Sequence, residues 1–128
     1  MKKALAQVIV MFSLMLSSGF AEGVKSIGSA KEFDALLTSG KPVVADFFAT
    51  WCPPCQRLTP ILDALAQQYG DKATFVRIDV DQVKELANRF EIKGIPDVRF
   101  FSGGKQQEQI VGLSDKGSYE KAILKVTK

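Results

Sequence analysis

Histidine is absent from this 128-residue chain, and cysteine occurs only twice. Without imidazole there is no His-based acid/base catalysis and no ligand set for most catalytic zinc centres. Two cysteines alone are also too few for a structural zinc site. Charge is nearly balanced: 17 basic residues against 14 acidic give +3. No basic block interleaves with aromatics, so nucleic acid is not an expected partner. Internal repeats and low-complexity stretches are missing as well. Apart from the first 21 residues, no run is apolar enough to suggest a membrane span. What remains is one domain in which 46% of residues are hydrophobic, enough for a true core.

The N-terminus reads as an address. Met1-Lys2-Lys3 is a short basic head, and Ala4 to Leu16 is apolar except for Gln7 and Ser13. Ser17-Ser18-Gly19-Phe20-Ala21 then places small residues where a signal peptidase needs them, with the cut after Ala21. The expected organisation is a signal peptide over residues 1–21 and a domain over 22–128, nearly neutral once Lys2 and Lys3 are removed. The alternative is an uncleaved membrane anchor, against which the apolar run falls short of the roughly 20 residues of a spanning helix. The signal style is bacterial and points to the periplasm or cell exterior, where disulfides persist.

Periodicity lays out the domain. Val24 to Ile27 is a short strand candidate. Ser29 and Glu32 form a capping-box pattern before Phe33, Leu36 and Leu37, and Gly40 stops that helix. Val43 to Phe48 is a continuous apolar run that predicts a strand buried on both faces, with Asp46 as its one charge. Leu58, Ile61, Leu62, Leu65 and Tyr69 recur at helical spacing up to Gly70, with Pro60 inside as a kink. Thr74 to Val80 alternates as a strand, and Val83, Leu86, Ala87 and Phe90 make a short helix. Lys84, Glu85 and Arg89 form its solvated face. Val98 to Phe101 and Gln107 to Val111 pair as a hairpin around Gly103-Gly104, and Ser114 or Asp115 caps a last helix. The order β-α-β-α-β-α-β-β-α implies an α/β fold: a central mixed sheet, helices on both faces, a terminal antiparallel hairpin, and parallel strands wherever a helix joins them.

Cys52 and Cys55 stand three apart at the strand-to-helix junction, in Trp51-Cys52-Pro53-Pro54-Cys55. On a first helical turn this spacing permits a small-ring disulfide and a low-pKa thiolate. So short a loop constrains the unfolded chain little, which favours redox exchange over a structural staple. Asp46, in a run that otherwise reads as core, is expected to have a raised pKa if it lacks a partner.

Over residues 24–126 the chain resembles the thioredoxin family. Phe47 to Cys55 is similar to the family's active-site segment, Asp46 to its buried acid, and Pro60 to its helix-kinking proline. Gly94-Ile95-Pro96 resembles its cis-proline loop, and Val111-Gly112 the glycine loop lining the substrate groove. The chain departs from the family at Pro53 in place of glycine, Gln56 in place of lysine, Phe48 in place of tryptophan, and with charges at Asp97 and Arg99 after the cis-proline. The resemblance implies a thioredoxin fold and a thiol–disulfide oxidoreductase, with no metal or organic cofactor.

In that scheme Cys52, at the helix N-cap, attacks a substrate disulfide and the more buried Cys55 resolves the mixed disulfide. Asp46 relays a proton to Cys55, or forms a structural pair with Arg77 on the adjacent strand. Trp51, Pro53, Pro54, Ile95, Pro96 and Gly112 line the groove. Trp51 covers the disulfide or is simply a half-buried aromatic, and Pro53 tunes the couple or simply starts the helix. Asp97 and Arg99 share one side of a strand and form an edge pair, meet a charged partner, or lie solvated. The expected partners are protein disulfides and a membrane electron donor, for a monomer acting as a periplasmic reductant. An oxidant or isomerase, or a peptide-binding module on the same fold, are the alternatives.

Overall fold

The computed structural model describes residues 23–128. The expected signal peptide, residues 1–21, lies outside the described residues. Nine elements follow in the expected order: β1 (Lys25–Ser26), α1 (Ala30–Thr38), β2 (Val43–Phe48), α2 (Pro53–Tyr69), β3 (Thr74–Asp79), α3 (Lys84–Arg89), β4 (Asp97–Ser102), β5 (Lys105–Val111) and α4 (Lys116–Val126). They build one five-stranded mixed sheet, ordered β1-β3-β2-β4-β5. No described helix is long and apolar enough to cross a membrane.

Local chemistry accounts for the element ends. Ser29 Oγ accepts from the Glu32 N–H at 3.1 Å, as a capping box requires. The return bond reaches one residue further back: Glu32 Oε2 accepts from the Gly28 N–H. Asp115, rather than Ser114, caps α4 by accepting from the Ser118 N–H at 2.8 Å. Gly103 and Gly104 both adopt positive φ, the requirement of a tight two-residue hairpin between β4 and β5.

β2 is the centre of the sheet. It pairs in parallel with β3 (Asp46 opposite Arg77) and antiparallel with β4 (Asp46 opposite Val98). Its side chains alternate between two cores. Val44 joins Leu58, Leu62, Phe75, Val98, Phe100 and Tyr119 beneath α2 and α4. Val43, Ala45 and Phe47 join Phe33, Ile78, Leu86 and Phe101 beneath α1 and α3. The second core is an aromatic cluster, with Phe33, Phe47, Phe90 and Phe101 in edge and tilted contacts 5.5–5.7 Å apart.

The rule that helix-joined strands run parallel holds for β2 and β3 but fails for β3 and β4. α3 links those two strands, yet β4 runs antiparallel to β2, which is itself parallel to β3. The reason is length. Six-residue α3 rises only about 9 Å, whereas six-residue β3 advances about 20 Å. The chain does not return to the far end of the sheet before turning into β4. It enters β4 from the same end at which β3 finished.

Two surface expectations also change. Asp97 and Arg99 are not edge or solvated residues, because β4 is interior, between β2 and β5; they are 2% and 9% exposed. Arg89 is not merely solvated: it makes a two-pronged hydrogen bond to Asp34 of α1 and pairs with Glu85.

Tyr119 joins the last helix to the loop after β5. Its buried hydroxyl accepts from the Ser114 N–H at 3.0 Å and donates to the Gly112 carbonyl at 3.2 Å. Tyr119→Phe strands both backbone groups and should cost about 1–3 kcal/mol in a urea titration; an unchanged midpoint would show that water replaces the hydroxyl.

Candidate functional site: the cysteine pair and its groove

The end of β2 delivers the chain to the head of α2, where Cys52 is the N-cap in an extended conformation and Pro53 opens the helix. Proline suits this position because its missing N–H has no helical partner there and its φ is already helical. Cys52 and Cys55 form a disulfide with their Cα atoms 5.3 Å apart. The Cys55 N–H points at Cys52 Sγ from 3.2 Å. Pro53 and Pro54 carry no N–H, so this is the donor that the first turn offers the sulfur.

Both cysteines are buried and pack with Ala49, Phe48, Val80 and Ile95. The Ile95–Pro96 peptide is cis, as the resemblance implied. Cys52 Sγ lies 3.9 Å from the Ile95 carbonyl oxygen. The Gly112 N–H donates to the Pro96 carbonyl at 2.7 Å, and Gly112 adopts a positive φ that favours glycine. Cys52, Ile95, Pro96 and Gly112 are thereby brought together at one end of the sheet. Val111 and Leu113, flanking Gly112, are exposed apolar side chains.

Trp51 stands out from the fold, 67% exposed, and is not half-buried. Its indole N–H donates to Asp81 Oδ2 at 2.8 Å, and Asp81 is itself held by an Asx turn, its N–H bonded to Asp79 Oδ1. Asp81 was not visible as a site residue in the sequence, since nothing local connects it to a tryptophan 30 positions earlier.

Asp46 lies on the α2 side of the sheet and is fully buried. Arg77, its partner across the parallel ladder, brings Nε to 3.6 Å of Asp46 Oδ2, an ion pair without a hydrogen bond. Both carboxylate oxygens and Arg77 Nε have no hydrogen-bond partner. The guanidinium is engaged elsewhere: Nη2 donates to Thr59 Oγ1 at 3.2 Å, and the plane lies 4.0 Å over the Phe48 ring. Thr59 in turn donates to the Cys55 carbonyl at 3.3 Å, a link that sequence reading missed. Burial therefore dominates, raising the Asp46 pKa from 3.8 to about 7, with the Arg77 charge opposing it. An acid titrating near neutral pH can give or take a proton where an ordinary aspartate cannot.

Known proteins share this chain's sequence and fold. The thioredoxin family model matches residues 24–125. The chain is 44% identical to thioredoxin-2 of Saccharomyces cerevisiae over 92 residues, covering 71% of this chain and 88% of that one. It is 41% identical to the thioredoxin of Mycoplasmoides gallisepticum over 100 residues, covering 78% and 99%. Among solved structures, a mutant thioredoxin from Halobacterium salinarum superposes with a TM-score of 0.77 at 34% identity, covering 83% of this chain and 92% of that one.

The raised Asp46 pKa carries a stability signature. Below its unfolded value of 3.8 the group is protonated in both states and costs nothing. As pH rises towards 7 only the unfolded chain ionises freely, so stability falls; above 7 the penalty is constant. Asp46→Asn should therefore stabilise the protein at pH 8, by up to about 4 kcal/mol, and the gain should vanish near pH 4. Denaturant midpoints of both proteins at the two pH values check this; a gain independent of pH would contradict a buried, poorly paired carboxylate.

Proposed function

The chain belongs to the thioredoxin family and is a thiol–disulfide oxidoreductase; on that premise we propose that it reduces protein disulfides in the periplasm. In the reduced state Cys52 is the nucleophile. Its thiolate attacks one sulfur of the substrate disulfide, and the other substrate sulfur leaves as a thiolate and takes a proton. Cys55, buried one turn into α2, gives its proton to the Asp46 carboxylate and attacks Cys52 Sγ. The second substrate sulfur leaves as a thiolate and takes the proton held by Asp46. Two electrons have passed from the cysteine pair to the substrate, and the first sulfur's proton comes from water, which had taken the one lost by Cys52. Ile95, Pro96, Gly112 and Trp51 form the groove that aligns the incoming chain, and the Ile95 backbone offers main-chain pairing to an extended segment. Arg77 tunes Asp46 from 3.6 Å without neutralising it.

The observation that carries the direction of electron flow is the donor count at Cys52. With prolines at 53 and 54, the Cys55 N–H at 3.2 Å is the donor from the first turn to that sulfur. A thiolate with fewer donors is less stabilised, and a less stable reduced form makes the couple more reducing. The N-terminal address supports export, and an exported reductant requires a membrane donor to carry electrons across the inner membrane. The small domain acts as a monomer.

Equilibration of the Cys52–Cys55 couple with a glutathione buffer tests the direction. The expected potential is near −270 mV, about thioredoxin's; a value near −120 mV, about that of a strong oxidant, would make the protein a disulfide donor instead. The address is tested separately. N-terminal sequencing of the protein recovered from the periplasm of an expressing bacterium should begin at Glu22, and a protein retained in the membrane with Met1 intact would replace cleavage by anchoring.

A further inference from the structure

Asp97 and Arg99 are charged side chains inside the fold, and the exchange chemistry uses neither. Burying an ion pair carries a large desolvation cost that only close hydrogen bonding offsets. Here that bonding is present. Arg99 Nε and Nη2 donate to the two Asp97 oxygens at 3.0 and 3.1 Å, the paired geometry that suits a guanidinium and a carboxylate. Arg99 Nη1 donates to Gln106 Oε1 at 3.0 Å, and Gln109 Nε2 donates to Asp97 at 3.1 Å, so β5 is held too. One further bond leaves the sheet: Arg99 Nη2 donates to the Phe90 carbonyl at 2.8 Å.

Phe90 is the C-cap of α3, where the loop to β4 begins, and Asp97 is the first residue of β4, where that loop ends. Between them lie Ile95, whose carbonyl faces Cys52 Sγ, and Pro96. The stretch has little local structure of its own, and Glu91 even adopts a φ of 50°, unusual for a residue with a side chain. Glu91 and Ile92 bond back to α3, through the Asn88 and Ala87 carbonyls at 3.1 and 2.9 Å; nearer the cysteines the ties run to the end of β5. Pro96 accepts from the Gly112 N–H, and Gly94 approaches Val111 so closely that an added Cβ would sit 3.2 Å from Val111 Cγ1.

We propose that Asp97 and Arg99 are positioning residues for the groove. Arg99 ties the entrance of the loop at Phe90 to its exit at Asp97, and Asp97 carries the tie through Gln109 to β5, which ends at Val111 next to Gly112. The ion pair sets where Ile95 stands against Cys52, and with it the alignment of an extended substrate. This rests on the groove reading above and is independent of the direction of electron flow. Lysine does not substitute at 99, because one ammonium lacks the planar fork that serves Asp97, Gln106 and Phe90 together.

The test compares two rates in the reduced chain: attack on disulfide-bonded insulin, which must lie in the groove, and attack on hydroxyethyl disulfide, which need not. The variants are Arg99→Lys and the charge-free double variant Asp97→Asn, Arg99→Met, so that a folding failure of either leaves the other. Displacing a substrate by part of an ångström is felt strongly in rate, so the insulin rate should fall about tenfold while the hydroxyethyl disulfide rate stays within about twofold. An unchanged ratio of the two rates, including both falling together, would overturn the inference and leave the pair a packing element. The ratio is read whatever the potential of the couple, so failure of the reductant assignment shows in the glutathione equilibrium and not here.

Discussion

Burial of β2 on both faces and along both edges is the constraint on which the rest of this structure depends. An apolar strand hydrogen-bonded to β3 on one side and β4 on the other has no freedom of register. Its exit is therefore a fixed point, and the head of α2 starts there. The cysteine pair inherits that rigidity: Cys52 is held as an N-cap by the helix it begins and by the sheet it leaves. A nucleophile on such a junction is positioned by the core itself, without the entropy cost of ordering a loop at each turnover.

The same burial produces the site's acid. Asp46 occupies a core position on β2, and water does not reach it. A closer cation would cancel the cost of ionising it and bring its pKa back down. Arg77 stops at 3.6 Å because its guanidinium is shared with Thr59 and the Phe48 ring. The carboxyl is left destabilised enough to titrate near neutrality. This costs stability, and it is a cost of the kind a protein bears at a working site. Asp97 and Arg99 show the opposite treatment of buried charge: each is met by close hydrogen bonds from or to its partner and a neighbouring segment.

The surroundings of the cysteine pair are assembled from segments remote in sequence. Trp51 is steadied by Asp81, Pro96 by Gly112, and the loop entrance at Phe90 by Arg99. Each tie crosses between elements, so the arrangement around the cysteines depends on the packing of the whole domain. Tyr119 extends this to the last helix through the Gly112 carbonyl.

The amino-acid sequence by itself determined what local forces decide. The order of elements, the Ser29 cap, the Gly-Gly hairpin and the helix head bearing Cys52 and Cys55 all follow from interactions within a few residues, and those were legible. The raised pKa of Asp46 was legible as the one charge in an apolar run; the cis form of Pro96 and the placing of Gly112 beside it were legible only through resemblance, because no local pattern marks them. Tertiary structure alone decided the reversal of β4, which depends on the reach of α3 against the length of β3. It also decided that Asp97 and Arg99 are buried, since whether a strand is an edge depends on what pairs beside it. The bonds of Asp81 to Trp51 and of Thr59 to Arg77 belong there too. They join residues far apart in the chain, and only the completed sheet brings them within hydrogen-bonding distance.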